Sequence, residues 1–129
     1  MYSSSAVTSL YPKLSPGEFE TLKVLWELGE GTVSEVRDAH NTSLRPKPAY
    51  TTTMTVLGRL VDKNAATVDK DKQPFRYRPA RQRTSELKRR LGEFVAICYE
   101  NEPELLLRHL LDEGYLSESS VRAFLMEEE

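Results

Sequence analysis

The chain has 129 residues, a formal net charge of −2 and a single cysteine. That length suffices for one compact domain and an appendage but not for two large cores, and the lone Cys98 excludes an internal disulfide framework. No apolar run approaches the roughly 20 residues needed to cross a membrane, which excludes membrane insertion by a helix.

Residues Met1 to Lys13 lack the long apolar segment of a signal peptide and read as a serine-containing, disordered tail (1–13). The expected location is cytoplasmic. The charge is unevenly placed: residues 1–92 hold 16 Lys and Arg against 10 Asp and Glu, whereas residues 93–129 hold 2 against 10. A basic body beside an acidic end concentrates positive potential on one part of the chain, although segregation on solvated faces would produce the same count.

Ser15-Pro16-Gly17-Glu18 combines a capping serine, a proline at the first helical position and a glutamate three residues after the cap. It opens a helix whose buried stripe is Phe19, Leu22, Leu25 and Trp26 and whose stop is near Gly29. Thr32 with Glu35 opens a second helix, with Val33 and Val36 facing inward. A loop, Asn41 to Pro48, leads to the third.

The third helix, within PAYTTTMTVLGRLVDKN (Pro48 to Asn64), is the most informative element. At about 100° per residue, Tyr50, Met54, Leu57, Leu60 and Val61 share one arc and Thr52, Thr55, Val56, Arg59 and Lys63 the opposite one. Threonine is disfavoured in helices by a few tenths of a kcal/mol against alanine, so packing or partner contact favours it here. Its hydroxyl can bond a phosphate or base edge and its methyl can meet a thymine methyl. A core helix with a threonine-rich solvated face would show the same pattern.

After it, Ala65 to Val68 is a short apolar run, Asp69 to Pro74 a polar turn, and Phe75 to Pro79 alternates aromatic with arginine. This predicts a hairpin with Phe75 and Tyr77 on the helices, Arg76 and Arg78 on the other face, and Lys70 and Lys72 at the tip, where they can straddle a phosphate backbone. A half-exposed two-stranded edge would alternate in the same way. Helix, helix, loop, helix and hairpin over residues 14–80 spell a winged helix-turn-helix domain, with the third helix as reader.

From Thr84 to about Glu100, Leu87, Leu91, Phe94, Val95 and Cys98 follow helical spacing. Pro103 opens a shorter helix carrying Leu106, Leu107, Leu110 and Leu111 with Gly114 as its stop, and Ser117 caps another with Val121, Phe124 and Leu125. These helices (84–126) form a helical dimerisation domain in this reading, because so much leucine is best buried against a second copy; the competing arrangement folds them back on the winged domain. The candidate interface is Leu87, Leu91, Phe94, Leu106, Leu110 and Phe124. The fold class is mainly α with a small β-hairpin.

Over Leu14 to about Leu125 the chain resembles the penicillinase repressor (BlaI/MecI) family of bacterial transcriptional repressors, whose copper-responsive relatives are of the CopY type. YTTTMTVLGRLVDKN, the wing FRYRP and LSPGEFETLKVLWELGEGTVSEV carry the resemblance. It implies a homodimer on a double-stranded palindromic operator with TACA/TGTA-type half-sites, repressing antibiotic-resistance or stress genes. By position it places Thr52, Thr55 and Arg59 on the reading face and Arg76 and Tyr77 on the wing; Lys47, Tyr50, Thr51, Lys63, Lys70 and Lys72 complete the expected DNA-binding set. In resembling repressors a sensor-protease signals cleavage of the connecting helix. Here the matching stretch, Glu93 to Tyr99, lacks their Asn-Phe pair, so a regulatory peptidase with another preference, an unrecognised ligand or oxidation of Cys98 are the open routes.

No second cysteine is present for the CxC…CxC metal site of the copper-responsive relatives. No cofactor or metal is expected. Cys98 reads as a small core residue with redox sensing as the alternative, and His40 and His109 as ordinary surface or helix-end histidines. There is no phosphate-binding glycine loop, nucleophile elbow or HExxH, so an enzyme is not expected. The rival function is a winged-helix protein-interaction module without specific DNA binding.

Overall fold

The computed structural model describes residues 12–40 and 46–127. The expected tail over 1–13 and the loop over 41–48 therefore fall mostly outside the described residues. The element order is α1 (Pro16–Leu28), α2 (Val33–Ala39), α3 (Tyr50–Asp62), β1 (Ala66–Asp69), β2 (Arg76–Pro79), α4 (Arg83–Cys98), α5 (Pro103–Asp112) and α6 (Glu118–Met126). It is a mainly helical fold with one hairpin, a winged helix-turn-helix followed by helices. No helix among the described residues is long and apolar enough to cross a membrane.

Short-range hydrogen bonds set the starts of α1 and α2. Ser15 Oγ accepts from the Glu18 N–H at 3.2 Å while Glu18 Oε1 accepts from the Ser15 N–H at 2.9 Å. Thr32 and Glu35 repeat the reciprocal pair at 3.1 and 3.0 Å. Each pair satisfies two amide groups that the first helical turn leaves without a partner. Gly29 ends α1 at φ 82°, a left-handed conformation that costs glycine little.

The core of the winged unit is centred on Leu22 and Leu25 of α1, Val36 of α2 and Leu57 and Leu60 of α3, all fully buried. Phe19 and Trp26 pack edge to face against it, their ring centroids 5.9 Å apart. The hairpin is antiparallel, with Val68 opposite Tyr77 and Asp69 opposite Arg76. Gly31, in the turn between α1 and α2, pairs with Tyr77 on the other side: Gly31 N–H donates to Tyr77 O at 2.9 Å and Tyr77 N–H to Gly31 O at 2.8 Å. A Cβ on Gly31 would meet Leu28 Cδ1 at 3.2 Å, so the close approach favours glycine.

A buried ion pair underlies the root of α4. Arg81 Nη1 donates to Glu86 Oε1 at 3.2 Å, and Arg81 Nη2 donates to Pro12 O at 3.1 Å and Lys63 O at 3.0 Å. The Trp26 indole N–H donates to Arg81 O at 2.8 Å. One guanidinium thus joins the chain before α1, the end of α3 and the first turn of α4.

Two compact units divide inside α4, the first ending at Lys88 and the second beginning at Arg89. In the second, Tyr99 stacks edge to face on Phe94 at 5.5 Å and its hydroxyl meets His109 Nδ1 at 3.0 Å, which ties the end of α4 to α5. His109 is exposed in the last turn of α5, a helix-end histidine as expected, with this aromatic partner. Val95 is the one buried apolar side chain among the described residues from Arg89 on, and α5 and α6 bury none. Cys98 is exposed, which corrects its expected place in a core: its helical stripe has too little packed against it within one chain.

Candidate nucleic-acid interface

Helix α3 is oriented by Thr53, Leu57 and Leu60, which spaced by four and three residues form its buried stripe. The opposite face is then Thr51, Thr52, Thr55 and Arg59, all exposed. None of these four makes a side-chain hydrogen bond or ion pair with another described residue. Lys47, ahead of the helix, is exposed as well.

Tyr50 and Met54 depart from the expected buried arc. They are 47% and 44% exposed, and Thr53 takes the inward position instead. The first turn of α3 runs past the edge of the core, so the side of the helix carrying these two residues borders an open cleft of about 280 Å³ shared with Val33, Pro74, Phe75 and Tyr77. Tyr50 thus stays available to a partner next to the threonine face.

Three expected DNA-binding side chains are engaged inside the chain. Lys63 Nζ donates to Glu18 Oε1 at 2.7 Å and to Lys13 O at 2.8 Å, fastening the end of α3 to the start of α1. Burial raises the Glu18 pKa, but the hydrogen bonds from Lys63 and the Ser15 N–H, with the charges of Lys63 and Arg59, outweigh it and hold the carboxyl below its ordinary value. Tyr77 is 8% exposed and belongs to the core, its phenol pushed up by burial and then by Tyr50. Arg76 Nε donates to Glu30 Oε2 at 2.9 Å and its Nη2 to Glu35 Oε1 at 3.3 Å.

Arg78 is held likewise, its Nη2 donating to the other Glu30 oxygen at 2.7 Å. Hydrogen bonds from Arg78 and Arg76 hold the Glu30 carboxyl below its ordinary pKa. The strand alternation of Arg76, Tyr77 and Arg78 is as the sequence implies, but the carboxylates facing the arginines come from the α1–α2 turn and α2. Nothing in the local pattern around β2 signals them, because they lie 41 to 48 residues away. At the hairpin tip, Lys70 and Lys72 are exposed, with Lys70 Nζ 5.9 Å from the Phe75 ring centroid. Asp71 N–H donates to Asp69 Oδ1 at 3.0 Å and shapes the turn that carries them.

The expected dimer residues are distributed over α4, α5 and α6. Leu87, Leu91, Phe94 and Phe124 are 42%, 50%, 45% and 68% exposed. Leu106 and Leu110 are half-buried, while Leu105 and Leu107 beside them are exposed. Among the described residues, no group of three or more His, Cys, Asp or Glu is placed to hold a metal ion.

The sequence profile described as "Penicillinase repressor" matches residues 14–125. No curated protein matches the chain. Among solved structures, the chain is similar to one titled "CopR Repressor Structure", with 33% identity over 54% of this chain and 99% of that one, at a TM-score of 0.44. It is also similar to a MarR family protein from Bacillus stearothermophilus (22% identity, 94% of this chain and 74% of that one, TM-score 0.48). A MarR family transcriptional regulator from Silicibacter pomeroyi is 19% identical over 95% of this chain and 69% of that one, with a TM-score of 0.47. With the family profile covering 14–125, the chain belongs to the penicillinase repressor family and is a transcriptional regulator.

Proposed function

We propose that this regulator represses transcription by binding a palindromic DNA operator as a homodimer, with α3 in the major groove. The observation that carries the reading is the exposed face of Thr51, Thr52, Thr55 and Arg59, which has hydrogen-bonding capacity and makes no side-chain hydrogen bond or ion pair among the described residues. A helix that meets only water has no use for adjacent threonines, whereas one in the major groove uses their hydroxyls and methyls on base edges. Lys47, Tyr50, Lys70 and Lys72 border that face and supply phosphate contacts. Family membership favours half-sites of TACA/TGTA type and genes of antibiotic resistance or stress.

A second copy is the occupant we assign to the apolar surface beyond Lys88. Phe94, Ile97, Leu105, Leu107, Phe124 and Leu125 are between 39% and 73% exposed, and a surface of that kind is unusual on a lone chain. Two tethered readers would contact half-sites one helical turn, about 34 Å, apart. Derepression by cutting residues 93–99 would separate the readers while leaving their contacts intact.

The test measures binding of the full chain to a TACA/TGTA palindrome and to a scrambled duplex across salt concentrations, with sedimentation at micromolar protein. The expected result is a dimer that prefers the palindrome, and whose affinity falls by about 10³ to 10⁵ between about 50 and 200 mM salt. A monomer, or a protein whose binding to DNA is weak and indifferent to sequence, would leave a protein-interaction module as the function.

A further inference from the structure

We propose that Glu30 is a specificity-determining residue of the DNA-reading unit: its carboxylate occupies Arg76 and Arg78 and withholds the outer face of the wing from DNA phosphates. The inference rests on the DNA-binding function proposed above.

Strand geometry brings these groups together. The Gly31–Tyr77 backbone pair aligns the α1–α2 turn with β2, and side chains alternate across a strand, so the neighbours of buried Tyr77 emerge on the outer face. Glu30, next to Gly31, reaches that same face. Its two oxygens take one arginine each, at 2.9 Å from Arg76 and 2.7 Å from Arg78, lengths typical of charge-assisted hydrogen bonds. Glu35 takes a second Arg76 donor at 3.3 Å, with the same oxygen held by the Thr32 N–H at 3.0 Å. Asp69 lies across the strands from Arg76 and lines the same shallow cleft.

Glu30 therefore holds both guanidiniums and Glu35 one of them, with Asp69 in the same cleft, so the positive charge of the outer face is offset by neighbouring carboxylates. A phosphate would have to displace Glu30 and approach Glu35 and Asp69. The tip is different: Lys70 and Lys72 form no ion pair with a described residue and project where the hairpin turns. The Glu30 pairs add little to folding, because Arg78 is 65% and Glu30 34% exposed in the side chain, and solvent screens such pairs. The wing is already held by the Gly31–Tyr77 backbone bonds. What Glu30 changes is where DNA can be gripped without regard to sequence. Phosphate contacts carry no sequence information, so removing two of them from the outer face lowers non-specific affinity and leaves discrimination to α3.

The experiment uses full-length protein, E30Q, and E30Q combined with R76Q and R78Q, each titrated with a TACA/TGTA palindrome and a random-sequence duplex over about 50 to 200 mM salt. E30Q should bind random DNA about tenfold or more tighter at low salt, with its log K against log salt slope steeper by about one to two, and should narrow the palindrome-to-random ratio. Adding R76Q and R78Q should return the slope to that of the natural protein. Thermal melts of all three chains establish that they fold. E30Q with an unchanged slope and unchanged random-DNA affinity overturns the inference, as does a steeper slope that persists without the two arginines. Natural protein that binds neither duplex overturns the DNA-reading function itself and this inference with it, whereas natural protein that binds beside an unaltered E30Q overturns this inference alone.

Discussion

Separating Arg81 from Glu86 should unfold much of the winged unit's margin of stability. The two side chains are only 3% and 1% exposed, so neither charge is screened by water. Arg81→Met removes a cation, its 3.2 Å bond to Glu86 and its bonds to Pro12 O and Lys63 O. Each bond to a charged group is worth about 1.5–3 kcal/mol, but they share one guanidinium and do not add, and breaking a buried pair typically costs about 3–5 kcal/mol. Against a total stability of about 5–15 kcal/mol this is a large fraction, and for a unit of this size it lowers the melting temperature by at least about 12 °C. The lone tryptophan, Trp26, donates to Arg81 O at 2.8 Å, so its fluorescence in a urea titration reports this junction directly. Glu86→Leu should be destabilising for the same reason. The double variant Arg81→Met, Glu86→Leu should lie closer to the natural protein than either single change, since two uncharged side chains of similar volume replace two desolvated charges. Single variants that lose less than about 1 kcal/mol, or a double variant as unstable as the two losses added, would refute the reasoning.

Three smaller perturbations test other parts of the winged unit. Thr53 is 2% exposed and its Oγ1 has no hydrogen-bond partner, so Thr53→Val should raise the urea midpoint by an amount equivalent to about 1 kcal/mol; a lower midpoint would show that the hydroxyl is satisfied. Because Glu18 titrates below its ordinary 4.5 in the folded chain, its contribution is complete above that value and is lost as pH falls through the folded pKa. Glu18→Gln should therefore flatten the fall in stability from about pH 6 to about pH 3, and a fall as steep as that of the natural protein would assign acid sensitivity elsewhere. Asn64 closes the α3–β1 connection at φ 60°, so Asn64→Gly should be tolerated while Asn64→Val costs about 1–3 kcal/mol by thermal melt, and equal melting points would show that the turn relaxes.

The parts of this protein legible in its sequence are those set by neighbours in the chain. Ser15 with Glu18 and Thr32 with Glu35 are caps closed within three residues, and both helices start where those residues stand. The alternation of Phe75 to Pro79 defined a strand with Tyr77 inward, and the periods of residues 84–126 defined helices with more apolar surface than they bury. The family resemblance, carried by the third helix and the wing, was legible for the same reason, since it lies in contiguous motifs matched over residues 14–125.

Tertiary structure alone decided which charges remain available. Lys63 finds Glu18 across 45 residues, Arg76 finds Glu30 across 46, and Arg81 bridges Pro12, Lys63 and Glu86. It also decided that Tyr50 and Met54 stay open beside Thr53, and that Cys98 lies outside the packed interior. Helical and strand periods report which face of an element is apolar, a property of adjacent residues. Whether a basic side chain meets a carboxylate, or an apolar one meets a neighbour, depends on elements brought together only when the chain closes on itself, and local spacing does not encode that distance.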